Sequence, residues 1–124
     1  MIKQLVLIFI GGGLGSCLRF LFSALINKDQ LLWIPTLLVN FLGCLLLGFF
    51  FYKYENQHYD LMNYSLLGIG ICGGLTTFST LSLELFQLIK NSQHLQACTY
   101  LGLTVVIGLV MVYVGYAFAK AYTL

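Results

Sequence analysis

One stretch limits what this chain can fold into more than any other. From Leu61 to Ile89 the sequence is apolar enough for a bilayer. As one straight helix it would reach about 43 Å at ~1.5 Å per residue, against a hydrocarbon core of ~30 Å. Its middle, Gly68 to Glu84, reads GIGICGGLTTFSTLSLE. Gly68, Gly70, Gly73 and Gly74 come first, then Thr76, Thr77, Ser79, Thr80 and Ser82, with Ser65 upstream. Glycines at the centre predict a helix broken in mid-membrane. A break releases backbone N–H and C=O groups that lipid cannot satisfy. Those groups must be buried in protein, line a wet cavity or bind an ion.

The rest of the chain makes the membrane reading firm. Charged residues are 8% of the sequence and hydrophobic residues 60%, with a mean hydropathy of +0.92. A soluble domain carries roughly 25% charged residues, so this chain lacks the polar side chains to cover a water-facing surface. The apolar runs are long and show no strand alternation, which points to helices and not barrel strands. The expected fold is an all-α membrane protein of four transmembrane helices, a single domain with spans at about 4–26, 33–52, 61–89 and 97–119. The third is the broken one. The turn at Asn27-Lys28-Asp29-Gln30 and the polar loops at 53–60 and 90–96 are short, which forces neighbouring helices to run antiparallel. The first run is too long for a signal-peptide core and contains Arg19, so it reads as a retained span.

Several function classes drop out. A net charge of +2 with no basic cluster gives no reason to expect nucleic acid. Gly68-Ile69-Gly70-Ile71-Cys72-Gly73 matches GxGxxG literally. It lacks the preceding strand and the βαβ unit that give that motif its chemistry. Cys17, Cys44, Cys72 and Cys98 have no metal-ligand spacing and read as small buried apolar residues. His58 and His94 fall in loops, as do Asp29, Glu55 and Asp60, so no paired-carboxylate or nucleophilic centre is supported and no enzyme is expected.

Few polar groups remain within the spans. Asn40 sits mid-span, where an amide must find a partner, either another helix or a permeating anion. Arg19 and Glu84 lie toward span ends, where snorkelling is one reading. Each hydroxyl in the Thr76–Thr80 run can bond back to its own helix, but four within five residues beside a break suggest more. Phe78 interrupts that run, and a ring edge carries partial positive charge that can face an anion. Small residues in the first, second and fourth spans allow close helix approach. Lys3, Lys53 and Lys120 share one face of the membrane and Arg19, Lys28 and Lys90 the other. This balance removes the usual orientation signal. It permits either one weakly set orientation or dual topology with antiparallel pairing.

Three blocks together resemble the Fluc/CrcB family of fluoride channels. Gly11-Gly12-Gly13-Leu14-Gly15-Ser16-Cys17-Leu18-Arg19-Phe20 is similar to GGxxGAxxRY, with serine for alanine and phenylalanine for tyrosine. The run from Thr36 to Gly43 fits TLxVNxxG, and Gly70 to Glu84 fits GxxGGxTTFSTFSxE except at Leu81. The resemblance extends over the whole chain. It implies a fluoride-selective channel that lowers cytoplasmic fluoride by passive efflux, set in a bacterial plasma membrane as a multi-pass protein. It implies an antiparallel dual-topology homodimer embedded in membrane lipid. It places Asn40, Phe78, Ser79, Thr80, Tyr100, Thr104, Arg19 and Glu84 along the fluoride path. It also implies a structural Na+ held by the main-chain carbonyls of Gly73 and Thr76, a donor set that suits a small hard cation. Two other readings stand beside it. Leu81, where the family pattern has phenylalanine, is compatible with an obligate subunit of a heterodimeric channel. A small four-helix multidrug exporter shares the span count, but the first span has no Asp or Glu to couple protons.

Overall fold

The structure, a computed structural model, describes residues 1–26 and 33–123. The predicted turn at Asn27–Gln30, with Lys28 and Asp29, lies outside the described residues. Helix α1 is Ile2–Leu25 and α2 is Ile34–Glu55. The third span is composite. Helix α3 (Leu61–Tyr64) runs into a wider π-helical segment, Ser65–Cys72, and then a last turn, α4 (Gly73–Leu75). Helix α5 (Phe78–Lys90) follows, and α6 (His94–Thr123) completes the bundle. All four spans are long and apolar enough to cross a membrane. Local chemistry sets the ends. Pro35 starts α2, where its missing N–H does no harm. Asp60 caps α3 through its Oδ1, which accepts from the Asn63 N–H at 2.8 Å. Gln57 and Ser92 turn the chain just past α2 and α5 with left-handed φ of 58° and 59°.

Contacts fix how the spans run. Gly11 abuts Gly70 and Gly15 abuts Gly74, so α1 lies parallel to the first half of the third span. Gly115 meets Leu45 while Lys53 reaches Thr123, so α2 and α6 are also parallel. Thr36 reaches Glu84 and Asn40 reaches Thr77, so α2 is antiparallel to the third span. A small core joins α2, α5 and α6 through Leu37, Leu81, Leu88, Ala97 and Tyr100, with Trp33 stacked on Tyr100 at 4.9 Å.

The break is present but it is not at the glycines. Gly73 and Gly74 are helical, and the interruption falls on Thr76 (φ −80°, ψ 153°) and Thr77 (φ −150°, ψ 124°). Among the described residues no glycine has positive φ. What the glycines supply is distance. A Cβ on Gly74 would strike the Gly12 carbonyl, one on Gly15 the Ile71 carbonyl, and one on Gly11 the Leu66 carbonyl. Backbone thus packs on backbone, the approach that helices in lipid depend on in place of a hydrophobic driving force. The cysteine reading also needs correction. Cys72 is buried and Cys44 half-buried, but Cys17 and Cys98 are exposed on the outer faces of α1 and α6. A thiol is apolar enough for that position without a buried partner.

Candidate functional site

Interrupting a helix leaves its last carbonyls and the next helix's first N–H groups without intrahelical partners. The structure meets much of this need with side chains from two sides. From α2, Asn40 bridges the gap. Its Oδ1 accepts from the Thr77 N–H at 2.8 Å, and its Nδ2 donates to the Thr77 carbonyl at 3.2 Å. An amide offers two N–H donors, so one is left for the cavity that Asn40 lines. From α1, Arg19 Nε donates to the Gly74 carbonyl at 3.2 Å and Ser16 Oγ to the same oxygen at 3.4 Å. Arg19 is therefore tied to the break and does not snorkel. Thr76 turns its own hydroxyl back onto the Cys72 carbonyl at 2.9 Å. Its methyl fills the space left by Gly43, where a Cβ would collide with it.

The start of α5 is built from hydroxyls. Thr77 is its N-cap, with Oγ1 accepting from the Thr80 N–H at 3.2 Å. The Thr77 hydroxyl lies 3.2 Å from Ser79 Oγ and donates to Thr80 Oγ1 at 3.2 Å. The positive end of the α5 dipole thus sits in mid-span. Phe78, the first residue of α5, is 78% exposed.

Two cavities flank this N-terminus. One, of about 250 Å³, is lined by Asn40, Thr76, Thr77, Phe78, Leu81 and Thr104 among others. The second, of about 260 Å³, is lined by Ser23, Thr36, Thr80, Glu84 and Gln87. Glu84 does not snorkel either. Its Oε1 accepts from Thr36 Oγ1 at 2.7 Å and its Oε2 from the Tyr100 hydroxyl at 2.7 Å. Tyr100 has no exposed surface. Thr104 bonds its own helix, through the Tyr100 carbonyl at 2.8 Å.

The expected path residues therefore fall into groups. Asn40, Phe78 and Thr104 line one cavity, and Thr80 and Glu84 the other, with Tyr100 behind Glu84. Ser79 joins the hydroxyl cluster at the junction. Arg19 lies on the α1 side and lines neither cavity.

A sequence profile of the family described as CrcB-like protein, Camphor Resistance (CrcB), matches residues 6–116. The chain belongs to the CrcB family. Among its curated relatives, a protein of Phocaeicola vulgatus is 42% identical over 115 residues, covering 91% of this chain and 95% of that protein. One of Flavobacterium psychrophilum is 41% identical over 122 residues, covering 95% and 98%. One of Methanococcus aeolicus is 40% identical over 115 residues, covering 91% and 92%. Each is named fluoride-specific ion channel FluC.

Within this CrcB chain, two site residues escape a reading of the sequence alone. Thr36 holds Glu84, and Gly43 admits the Thr76 methyl. Their signal is helical period. Thr36, Asn40 and Gly43 stand at i, i+4 and i+7 on α2, one face directed at the third span. Among the described residues no cluster of His, Cys, Asp or Glu has the arrangement to hold a metal.

Proposed function

We infer that the chain is a fluoride-specific ion channel of the cell membrane, a passive multi-pass conduit and not an enzyme. The observation that carries this reading is the start of α5. A helix N-terminus rimmed by Asn40, Thr77, Ser79 and Thr80 lies between two cavities inside a membrane-spanning chain. Fluoride is small and strongly hydrated, so a pore must replace its water with donors. The second Asn40 N–H, the hydroxyls, the α5 dipole and the Phe78 ring edge provide these without a fixed cation that would trap the ion. Membrane potential and concentration gradient would drive efflux.

The channel is proposed to be an antiparallel homodimer. Phe78 projects from the single chain beside the hydroxyls, and the Gly73 face is open, with nothing within 4 Å of a Cβ there. With Arg19 drawn to the break, Lys3, Lys53 and Lys120 stand against Lys28 and Lys90, a bias small enough to permit dual topology. A structural Na+ is proposed at the two-fold axis. The break leaves the Gly73 and Thr76 carbonyls without helical partners, because the Thr77 N–H goes to Asn40 and the Thr80 N–H to Thr77 Oγ1. Two carbonyls from each subunit would provide hard oxygen ligands. Leu81, 3% exposed in the α2–α5–α6 core, packs as a core residue and gives no support to an obligate second subunit.

The test is fluoride efflux from liposomes holding this chain alone, with chloride as comparator. Rapid fluoride release with chloride retained is expected, and withdrawing Na+ is expected to lower dimer stability or efflux. Absence of fluoride release from correctly inserted protein would overturn the channel reading. Release only with a second homologous chain would overturn the homodimer.

A further inference from the structure

A groove on the outer face of the α2–α6 pair takes no part in the site at the break. It holds about 480 Å³ and is walled by Leu46, Phe49 and Phe50 of α2 and by Val114 and Phe118 of α6, with Gly115 where the helices meet. No polar side chain lines it. Gly115 is the reason for its depth, because its missing Cβ lets α6 touch the Leu45 carbonyl and leaves the larger neighbours to form the rims.

The groove opens toward a cation. The Lys53 ammonium lies 5.8 Å from the centre of the Phe49 ring, one turn beyond the wall. It donates one hydrogen to Thr123 Oγ1 at 2.7 Å, and an ammonium carries three. Lys120 adds a second positive charge one turn before Thr123. The neighbouring carboxylate, Glu55, is held elsewhere, accepting from the Tyr116 hydroxyl at 2.7 Å, and neither residue lines the groove. Tyr52, Tyr54, Tyr59, Tyr64, Tyr116 and Tyr122 crowd this end of the bundle. Tyrosines concentrate at headgroup depth, so Lys53 is level with lipid phosphates while the groove descends into the acyl region.

We propose that this groove binds an anionic phospholipid, with one acyl chain laid between α2 and α6 and the phosphate on the Lys53 ammonium. The walls select a hydrocarbon chain, and the lysines select a headgroup of net negative charge.

Native mass spectrometry of the purified protein, reloaded with phosphatidylglycerol or with phosphatidylcholine of the same chains, tests this. Phosphatidylglycerol should be retained more strongly, by about fivefold for each lysine engaged. Lys53→Gln should remove most of that preference. Lys3→Gln, at the same end but on α1, should leave it intact. Val114→Phe fills the groove without touching Lys53 and should reduce retention of both lipids. Equal retention of the two lipids by the unaltered protein, or an undiminished preference in Lys53→Gln, would overturn the proposal. So would a Val114→Phe variant that loses its oligomeric mass and keeps its lipid, because a second copy would then cover the groove.

Discussion

The two halves of the third span are held in different ways. The first half, Ser65–Leu75, is held by shape. Its backbone lies against the backbone of α1 through Gly11, Gly15, Gly70 and Gly74, with no side chain between to adjust. The second half, α5, is held by side chains. Glu84 is bound by Thr36 and Tyr100, and Leu81 and Leu88 pack against Leu37 and Ala97. The break lies at their junction, and each half secures its own side of it. Arg19 and Ser16 from α1 take the Gly74 carbonyl above the gap, and Asn40 from α2 takes the Thr77 amide groups below it. A bilayer permits unpaired backbone only where protein or a cavity satisfies it. A half fixed by shape therefore acts as an anchor, and a half fixed by polar contacts can present those same contacts to an ion.

Substitutions can break or sharpen that contrast. The largest effect is expected on the shape-held side. Gly15→Val places side-chain carbons on the Ile71 carbonyl and near the Leu75 nitrogen, and the spans must part. Loss of the monodisperse species in size-exclusion chromatography is the expected outcome. Gly13→Ala, on the same helix with open space around its Cβ, should be tolerated and gain up to about 1 kcal/mol of helix propensity. If both variants behave alike, close backbone packing is not what anchors this half.

Next comes the bridge across the break. Asn40→Asp retains an acceptor for the Thr77 N–H but sets a negative oxygen against the Thr77 carbonyl and against the anion. Losing a buried hydrogen bond of this kind costs about 1–3 kcal/mol. With the added repulsion, fluoride efflux should fall roughly a hundredfold while the oligomer persists. Wild-type efflux from the assembled variant would remove Asn40 from the path.

On the polar-held side the effect should be smaller. Tyr100→Phe keeps the stack on Trp33 and removes one donor to Glu84. A hydrogen bond to a charged group contributes about 1.5–3 kcal/mol. Thermal unfolding in detergent should show a loss of that order, with efflux reduced severalfold and not abolished. An unchanged melting temperature would mean that Glu84 is not held by this contact. Least of all should follow from Ser82→Ala, whose hydroxyl is exposed and bonds only the Phe78 carbonyl of its own helix. A change within about 0.5 kcal/mol is expected, and a large loss of efflux would show that the hydroxyl face of α5 extends further than the Thr77–Thr80 cluster.

Four spans, an interruption in the third and a hydroxyl-rich segment beside it could all be read from the sequence. They follow from quantities that a linear chain carries: apolar run length against bilayer thickness, and the scarcity of charge. Asn40 stood out for the same reason, because a mid-span amide needs a partner whatever the fold. The partner itself was not written there. That Asn40 meets both amide groups of Thr77, that Arg19 turns inward to Gly74, and that Glu84 is shared by Thr36 and Tyr100 depend on which helices lie side by side and at what register. The glycines show the limit most plainly. Their sequence position next to the break suggested that they make it, but a glycine in lipid is equally suited to a turn and to close approach. Only the placement of α1 against the third span decided for approach and left the break to two threonines, whose released backbone groups Asn40, Arg19 and Ser16 were in position to receive.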